Sequence, residues 1–228
     1  MGSNYKITYC VDIVFCIDVT NSMDHLLKTV KENALRFYDD FRRIMDSNRK
    51  VVSELRVRII AFRDYYYDGE QAMLATDFLT LPDQIEDFKD CLDCLEASGG
   101  GDDEEDGLEA LAYAMKSKWN MKGSKRRHLI VVWSDDGTHD LGFGKSAANY
   151  PANMPADFNE LTRWWGTQSS PGVMDNASKR MIIFAPDKKS WNTITDNWDN
   201  VAHFESEAGM GLSDQDYEEI LSKIGESI

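Results

Sequence analysis

The fold is decided by residues 9–22, which read YCVDIVFCIDVTNS. The first nine are nearly all apolar or β-branched, as expected of a strand that is buried on both faces of a sheet. Asp12 is the exception, and it must find a partner or lie at the start of the strand. Oxygen-bearing side chains follow at alternate positions, at Asp18, Thr20 and Ser22. The stretch therefore predicts a buried parallel strand that ends in a polar loop at the ligand-binding edge of a sheet.

Apolar runs and amphipathic stretches alternate along the rest of the chain. Further strands are predicted over residues 55–62, 129–133, 181–185 and 201–204, with a shorter edge strand over 72–81. Helices are predicted over 23–44, with Ser22 as a cap, and over 82–95, 103–119, 155–165 and 214–224.

This alternation predicts an α/β fold. We expect a Rossmann-like, doubly wound, mostly parallel six-stranded sheet with one short antiparallel edge strand and helices on both faces. Residues 1–7 are interpreted as an N-terminal tail or cloning remnant, and 8–228 as a single domain. The stretch at about 138–178 is too long for an ordinary loop. It is predicted to be an insertion that begins beside the ligand-binding edge.

Three loops carry the chemistry of this edge. The first is Asp18 to Ser22, the second is Gly99-Gly100-Gly101-Asp102, and the third is Asp135-Asp136-Gly137, directly after the strand over 129–133. Hydroxyl and carboxylate oxygens without Cys or His suit Mg²⁺, Mn²⁺ or Ca²⁺ better than zinc. The three loops therefore predict a metal-dependent binding domain.

These motifs resemble those of the von Willebrand factor type A (vWA) domain and its metal-ion-dependent adhesion site (MIDAS). The family's first motif is Asp-x-Ser-x-Ser, and Thr20 replaces the first Ser here. The resemblance extends over roughly residues 8 to 226. It is strongest to an intracellular subgroup that includes the vWA domains attached to alpha-kinases, which share Asp-x-Thr-x-Ser-Met, an Arg-Asp after the second strand, and Gly-Gly-Gly-Asp followed by acids. This sequence has Asp18 to Met23, Arg63-Asp64 and Gly99 to Glu105.

The resemblance implies a ligand set and a function. The metal ligands would be Asp18, Thr20, Ser22, Asp102 and Asp136, around Mg²⁺ or alternatively Mn²⁺ or Ca²⁺. The domain would bind another protein at the metal face, without catalysis, as part of an intracellular signalling or stress-response assembly.

The second loop departs from the family pattern, because Asp102 stands where the family usually has Thr. Three acids would then face a doubly charged ion. We expect tighter binding of the ion and weaker attraction for a carboxylate from the partner. The same residues also have ordinary structural interpretations: a capping box of Asp102 and Glu105 for the following helix, a cap at Ser22, and a turn at Asp136-Gly137.

Composition limits the partners. The chain has 228 residues, 42% of them hydrophobic, and a formal net charge of −15. Such an acidic chain should repel nucleic acid and anionic membranes. No run approaches the roughly 20 apolar residues of a membrane span. Four cysteines, Cys10, Cys16, Cys91 and Cys94, fit reduced residues of a cytoplasmic protein better than a disulfide framework.

Two other functions stay open. Carboxylates around Mg²⁺ at a sheet edge also resemble the sites of phosphoryl-transfer hydrolases. Such an enzyme would need a second Asp where Thr20 stands and a well-placed Lys, for which only Lys145 is near the third motif. The other alternative is a vWA domain that binds partners without metal. A nucleotide site is unsupported, since the chain has neither Gly-x-Gly-x-x-Gly nor a Walker A lysine, and a small-molecule substrate is not expected.

Several neighbouring residues have two interpretations. Arg63 and Asp64 could support the metal site or form a plain ion pair. The run Tyr65 to Tyr67 could be a binding surface or be partly buried. Trp164 and Trp165 could anchor a partner, which we favour for one of them, or seal the insertion onto the body. His139 lies just beyond Asp136-Gly137 and could approach the site, but the sequence does not make it a ligand.

Overall fold

The computed structural model describes residues 8–123, 125–206 and 217–227. Within them lies a seven-stranded sheet formed by β1 (Thr8–Asp18), β2 (Val51–Phe62), β3 (Met73–Ala75), β4 (Leu79–Leu81), β5 (Lys125–Trp133), β6 (Lys179–Pro186) and β7 (Val201–Ser206). The α-helices are α1 (Asp24–Ser47), α2 (Tyr65–Asp68), α3 (Ile85–Asp93), α4 (Gly107–Met115), α5 (Phe158–Trp165), α6 (Lys189–Asn197) and α7 (Tyr217–Ser227). Short 3₁₀ helices cover Asn21–Met23, Gly69–Gln71 and Phe143–Ser146.

The strand order β3-β2-β1-β5-β6-β7 gives a doubly wound sheet, with β4 also paired to β2. β2, β1, β5, β6 and β7 run parallel, whereas β3 and β4 are antiparallel to β2. The strand order reverses direction at β1, whose neighbours are β2 and β5. The carboxyl end of β1 is therefore the switch point where ligands bind in such folds.

Side chains of β1 alternate between two hydrophobic layers, as the two-residue period of a strand requires. Ile13 and Phe15 pack with α1, α3 and α7 on one face, and Val14 and Cys16 pack with α4, α5 and α6 on the other. Asp12 does find a partner, because Arg56 of β2 donates to both of its carboxylate oxygens at 2.8 and 2.6 Å.

The predicted α/β class with helices on both faces is confirmed, and several details differ, including α6 and the short α2, which the sequence did not predict. The edge strand predicted over 72–81 is two short strands, so the sheet has seven strands rather than six. The helix predicted from 103 begins at Gly107. α1 begins at Asp24, and Ser22 lies in the preceding 3₁₀ turn instead of capping the helix. Of the helix predicted over 214–224, residues 214–216 lie outside the described residues.

The segment after β5 returns to the sheet only at β6 and contains one 3₁₀ turn and α5. Leu161 and Trp165 of α5 are fully buried, and they pack against the layer formed by α4 and α6. Within the described residues no helix combines the length and apolarity needed to cross a bilayer.

Candidate functional site

The loop after β1 folds its oxygen-bearing side chains toward one another. Asp18 is fully buried, and its Oδ1 accepts hydrogen bonds from the backbone N of Thr20 at 3.0 Å and from Thr20 Oγ1 at 2.6 Å. Thr20 Oγ1 lies 3.2 Å from Ser22 Oγ. The alternating Asp18-x-Thr20-x-Ser22 spacing thus brings three oxygen donors into one continuous chain of contacts.

The loop after β5 meets this chain through Ser134 and Asp135, the two residues that precede the predicted Asp136. Ser22 Oγ donates to Asp135 Oδ1 at 3.1 Å, and Ser134 Oγ donates to Asp18 Oδ2 at 2.9 Å. Asp136 faces elsewhere, with its Oδ1 2.9 Å from Lys188 Nζ. The structure therefore brings Asp18, Thr20 and Ser22 together with Asp135, whereas Asp136 forms an ion pair at the side.

Asp102 of the glycine loop joins a different group. Its Oδ1 lies 3.2 Å from His139 Nε2, and Asp64 Oδ2 lies 2.9 Å from the same nitrogen. Asp64, Asp102 and His139 can each offer a ligand atom within 4.8 Å of the others, a spacing that fits a metal ion. A mixed set of imidazole and carboxylates suits transition metals more than Mg²⁺ or Ca²⁺.

Glu105 lies between the two groups. Its side chain is 3% exposed, and among the described residues its Oε2 has no hydrogen-bond partner. A Cβ added at Gly100 would lie 3.1 Å from Glu105 Oε1 and 3.3 Å from Cβ of Thr20, so the glutamate and the threonine flank one glycine. Gly100 also has a positive φ of 80°, which favours glycine. Glu105 is thus a buried acid beside the β1 loop, and it does not form the predicted capping box.

Burial and mutual repulsion raise the pKa values of several acids at this edge. Burial is the main cause for Asp18, whose pKa rises to about 6, and Asp135 adds to the rise. The pKa of Glu105 rises to about 10, through burial and then through repulsion by Asp18, Asp64 and others. Burial also raises the pKa of Asp135. These carboxylates are crowded without enough positive charge, a situation that a bound cation would relieve.

Arg63 ties the loops of this edge to one another. Its buried guanidinium donates to four backbone carbonyls: Val19 at 3.2 Å, Ser98 at 2.7 Å, Gln71 at 2.7 Å and Glu96 at 2.8 Å. The residue therefore supports the architecture of the site and does not pair with Asp64.

Asp64 has a separate role at the start of α2. Its Oδ1 accepts from the backbone N of Tyr66 and Tyr67, which caps this short helix, while its Oδ2 faces His139. The cap orients the tyrosine run: Tyr65 is buried, whereas Tyr66 is 59% and Tyr67 50% exposed. The run is thus buried at Tyr65 and exposed at Tyr66 and Tyr67, and a binding role for the exposed rings stays a prediction.

An exposed aromatic patch, formed by Tyr66, Tyr67 and Phe143, adjoins the acids. The rings of Tyr66 and Tyr67 are 5.1 Å apart, and that of Tyr66 is 6.2 Å from Phe143. The ring of Phe143 stacks on that of His139 at 3.9 Å. Exposed aromatic side chains beside buried polar groups are typical of binding surfaces.

The three predicted loops lie together at this edge, because Asn21 N donates to the carbonyl of Gly99 and Ser22 Oγ donates to Asp135 Oδ1. The sequence did not single out Asp135 or Glu105 as candidate ligands. The signal for Asp135 was present, as an acid next to Asp136, but a sequence cannot say which of two adjacent acids turns inward. The predicted set of five metal ligands stays a prediction.

Comparisons with known proteins support the fold alone. No family model matches the sequence, and no curated protein matches it. The pilus adhesin SpaC from Lactobacillus rhamnosus GG matches 98% of this chain at 14% identity, with a TM-score of 0.50 for one crystal form and 0.51 for the open conformation. The match spans 31% and 30% of the SpaC chains, so this chain corresponds to less than a third of that protein.

A second similar structure is the vWF domain of the type V pili tip protein Mfa5 from Porphyromonas gingivalis. It matches 57% of this chain and 39% of its own at 17% identity, with a TM-score of 0.39. The likeness to SpaC identifies a shared doubly wound α/β fold.

Proposed function

We propose that this chain is a non-catalytic, vWA-type protein-interaction module that depends on a divalent cation. The observation that carries the proposal is the chain of contacts Asp18–Thr20–Ser22–Asp135 at the switch point of the sheet. Ligands bind at this position in open α/β sheets. The sequence motifs that resemble those of vWA domains lie in the same loops.

The ion is proposed to be held by Asp18, Thr20, Ser22 and Asp135, with Glu105 beside them. Oδ2 of Asp135 and Oε2 of Glu105 are buried oxygens without a hydrogen-bond partner among the described residues, which fits ligand atoms. The donors are all oxygens, so Mg²⁺, Mn²⁺ or Ca²⁺ fits best. In this proposal Asp135 takes the position that the sequence suggested for Asp136, and Asp102 supplies negative charge nearby.

The binding face is proposed to include the aromatic patch of Tyr66, Tyr67 and Phe143. The surplus of acids around the ion should disfavour a partner carboxylate and favour a neutral or basic group. SpaC is described as a pilus adhesin, which is consistent with an interaction function for a domain of this fold.

An intracellular location is proposed from the cysteines. Cys10, Cys16, Cys91 and Cys94 are all free thiols, and secreted domains more often pair such residues. Burial raises the pKa of Cys16 to about 12, so this thiol is unreactive and plays a packing role.

Metal binding is tested by calorimetric titration of metal-free protein with MgCl₂, MnCl₂ and CaCl₂. Asp18→Asn and Ser22→Ala should each weaken binding by about tenfold or more, because each removes an oxygen donor or its charge. The control is Asp24→Asn, an exposed acid in the first turn of α1, which should bind as the wild type does. Absence of binding for all three ions would favour the metal-independent alternative.

A hydrolase is the second candidate, favoured by the contact between Lys188 Nζ and Asp136 Oδ1 at 2.9 Å. A lysine beside an acid at this edge is a feature that phosphoryl-transfer sites share. Hydrolysis of a generic phosphate ester with Mg²⁺, abolished by Asp18→Asn and retained by Asp24→Asn, would replace the interaction proposal.

A further inference from the structure

A cavity distant from the acidic edge is lined mainly by basic side chains. Its volume is about 500 Å³, and its six lining residues are Arg56, Arg58, Asp77, Phe78, Lys116 and Lys118. Four of the six are cationic in a chain with 40 acidic and 25 basic residues. Such local clustering against the overall charge indicates a site for an anion.

Two arginines from β2 line this basic cavity. Arg56 and Arg58 are two positions apart on β2, so both side chains leave the same face of the sheet. Arg56 is fixed by both carboxylate oxygens of Asp12 and by the carbonyl of Lys118 at 3.1 Å. Its guanidinium carbon also lies 4.5 Å from the ring centroid of Phe78. The side chain is therefore held in place before any ligand arrives.

Arg58 is also held in place by hydrogen bonds, but no salt bridge neutralises its charge among the described residues. Its Nε donates to the carbonyl of Thr76 at 2.7 Å, and its Nη1 donates to Ser117 Oγ at 2.6 Å. Within the described ranges no carboxylate forms an ion pair with it, and its Nη2 has no hydrogen-bond partner. Burial lowers the pKa of Arg58. Arg58 is thus a fixed guanidinium among the lining residues, and one of its terminal nitrogens has no partner among the described residues.

The lysines complete the positive lining. Lys116 Nζ lies 3.6 Å from the ring centroid of Trp164 and donates to the carbonyl of Asn153 at 3.2 Å. Because Asp12 balances Arg56, the remaining cations are Arg58, Lys116 and Lys118, opposed in the lining by one carboxylate, Asp77. The cavity therefore has an excess of two positive charges.

We propose that the basic cavity binds the phosphate group of a small phosphorylated molecule. A phosphate monoester carries about 1.5 to 2 negative charges near neutral pH, which matches this excess, whereas a carboxylate carries one. Fixed guanidinium groups bind phosphate oxygens with defined geometry, and lysines add charge. The volume lies within the range of about 300–1,000 Å³ typical of small-molecule sites.

The basic cavity is independent of the proposed metal site. Arg58 lies in the middle of β2, whereas Asp64 and the acidic loops lie beyond its carboxyl end. A result at one site therefore leaves the other proposal standing.

The test is calorimetric titration of the whole chain with glycerol phosphate, inorganic phosphate and acetate at matched ionic strength. At about pH 8 both phosphates are mainly dianions, and they should bind at least about tenfold more tightly than acetate. Arg58→Gln and Lys116→Gln should each weaken phosphate binding about tenfold. Circular dichroism monitors the fold of Arg58→Gln, and Lys116→Gln alters an exposed side chain whose loss the fold should tolerate.

The matched control is Lys28→Gln, which removes an exposed lysine from α1, on the opposite face of the sheet. It should leave the affinity unchanged. The proposal would be overturned if phosphate and acetate bound with equal affinity. It would also be overturned if Lys28→Gln and Lys116→Gln lost phosphate affinity equally, because either result would show only non-specific attraction. A phosphoserine peptide that binds much more tightly than glycerol phosphate would overturn it in favour of a protein ligand.

Discussion

Glu105 combines deep burial with a carboxylate oxygen that lacks a partner among the described residues. A buried polar group without a partner is destabilising, and repulsion from Asp18 and Asp64 adds to the cost. A destabilising buried acid of this kind indicates a functional role. In the proposed function that role is to face a divalent cation.

This role predicts that Glu105→Gln has opposite effects on stability and on metal binding. Without metal, the amide should raise the free energy of unfolding by about 1 kcal/mol. Glu105, whose pKa in the folded chain is about 10, must take up a proton on folding at neutral pH, and glutamine need not. The affinity for Mg²⁺ or Mn²⁺ should fall by about tenfold, because a charged ligand is lost. Urea denaturation of the metal-free protein and calorimetric titration measure the two effects.

The matched control is Glu104→Gln, which neutralises the adjacent, exposed acid. It should change both quantities little. A Glu105→Gln variant that loses stability in the absence of metal would contradict the interpretation of this residue as a strained ligand.

Single residues also mark the limit of sequence reasoning. The spacing of Asp18, Thr20 and Ser22 was sufficient to predict their convergence, because alternate positions in one tight loop can share a face. Asp135 and Asp136 could not be separated, since the choice depends on the partners Ser22 and Lys188, which come from distant parts of the chain. His139 likewise approaches Asp64 only through the tertiary fold.

At the scale of elements, the segment between β5 and β6 is secured by one buried lysine. Nζ of Lys179, the first residue of β6, donates to the carbonyls of Trp165 and Gly166 at 2.7 Å each and pairs with Asp199 at 3.2 Å. The ammonium also lies 4.5 Å from the ring centroid of Trp165. The end of α5 is thereby joined to the start of β6.

Trp165 itself seals the segment onto the body and is fully buried. Trp164 is partly buried and is covered by Lys116. Trp165 is therefore not an anchor for a partner, and the interface role that the sequence analysis favours for one of the two stays a prediction for Trp164.

Lys179→Met should lower the free energy of unfolding by about 3 kcal/mol, because two buried carbonyls lose their donor and Asp199 loses its partner. The segment after β5 should become more sensitive to limited proteolysis. Denaturation curves and mapping of the cleavage sites provide the measurement.

Lys189→Met, at an exposed lysine of α6, is the comparison variant and should leave both readouts near the wild type. A stability of Lys179→Met equal to that of Lys189→Met would mean that the lysine does not hold the segment.

Helices and strands with a strong hydrophobic periodicity were predictable from the sequence. Elements whose bounds depend on contacts with distant parts of the chain were not. β1 and α1 follow from long apolar patterns that few other structures could bury. The edge over 72–81 splits into β3 and β4 because both pair with β2, at positions the sequence does not encode locally. α4 begins at Gly107 because the preceding acids belong to the loop that crosses the carboxyl edge.

For the whole molecule, the crowded acids predict a dependence of stability on pH. Burial, then repulsion by Glu109, raises the pKa of Asp106 to about 8, and the pKa of Glu105 is about 10. In the unfolded chain both groups ionise near pH 4. Their contribution to stability is therefore full below about pH 4 and is lost as the pH rises through their folded-state pKa values.

The free energy of unfolding of the metal-free protein should thus fall by about 3 kcal/mol between about pH 7 and pH 8.5, with about 2 kcal/mol from Glu105 and about 1 kcal/mol from Asp106. Urea denaturation at the two pH values measures it. Asp106→Asn should reduce this decrease, whereas Glu104→Gln should preserve it. A constant or rising stability over this interval would contradict the assignment of protons to these carboxyls.

The overall architecture was predictable because a doubly wound sheet follows from the alternation of strands and helices and from the two buried faces of β1. The basic cavity was not, because Arg56 and Arg58 meet Lys116 and Lys118 only when α4 packs beside β2. Surfaces assembled from separate elements leave little trace in a single sequence.

The four hydrogen bonds of Arg63 have a mechanical consequence. The guanidinium of Arg63 donates hydrogen bonds to carbonyls in three places: the segment after β1, the segment after α3 and the turn before β3. These segments cannot relax separately, because displacing one stretches the bonds that hold the others. A force on one of these segments would therefore displace the loops of the proposed metal site and the turn that follows Tyr66 and Tyr67 together, which would couple binding at the two places if both proposals hold.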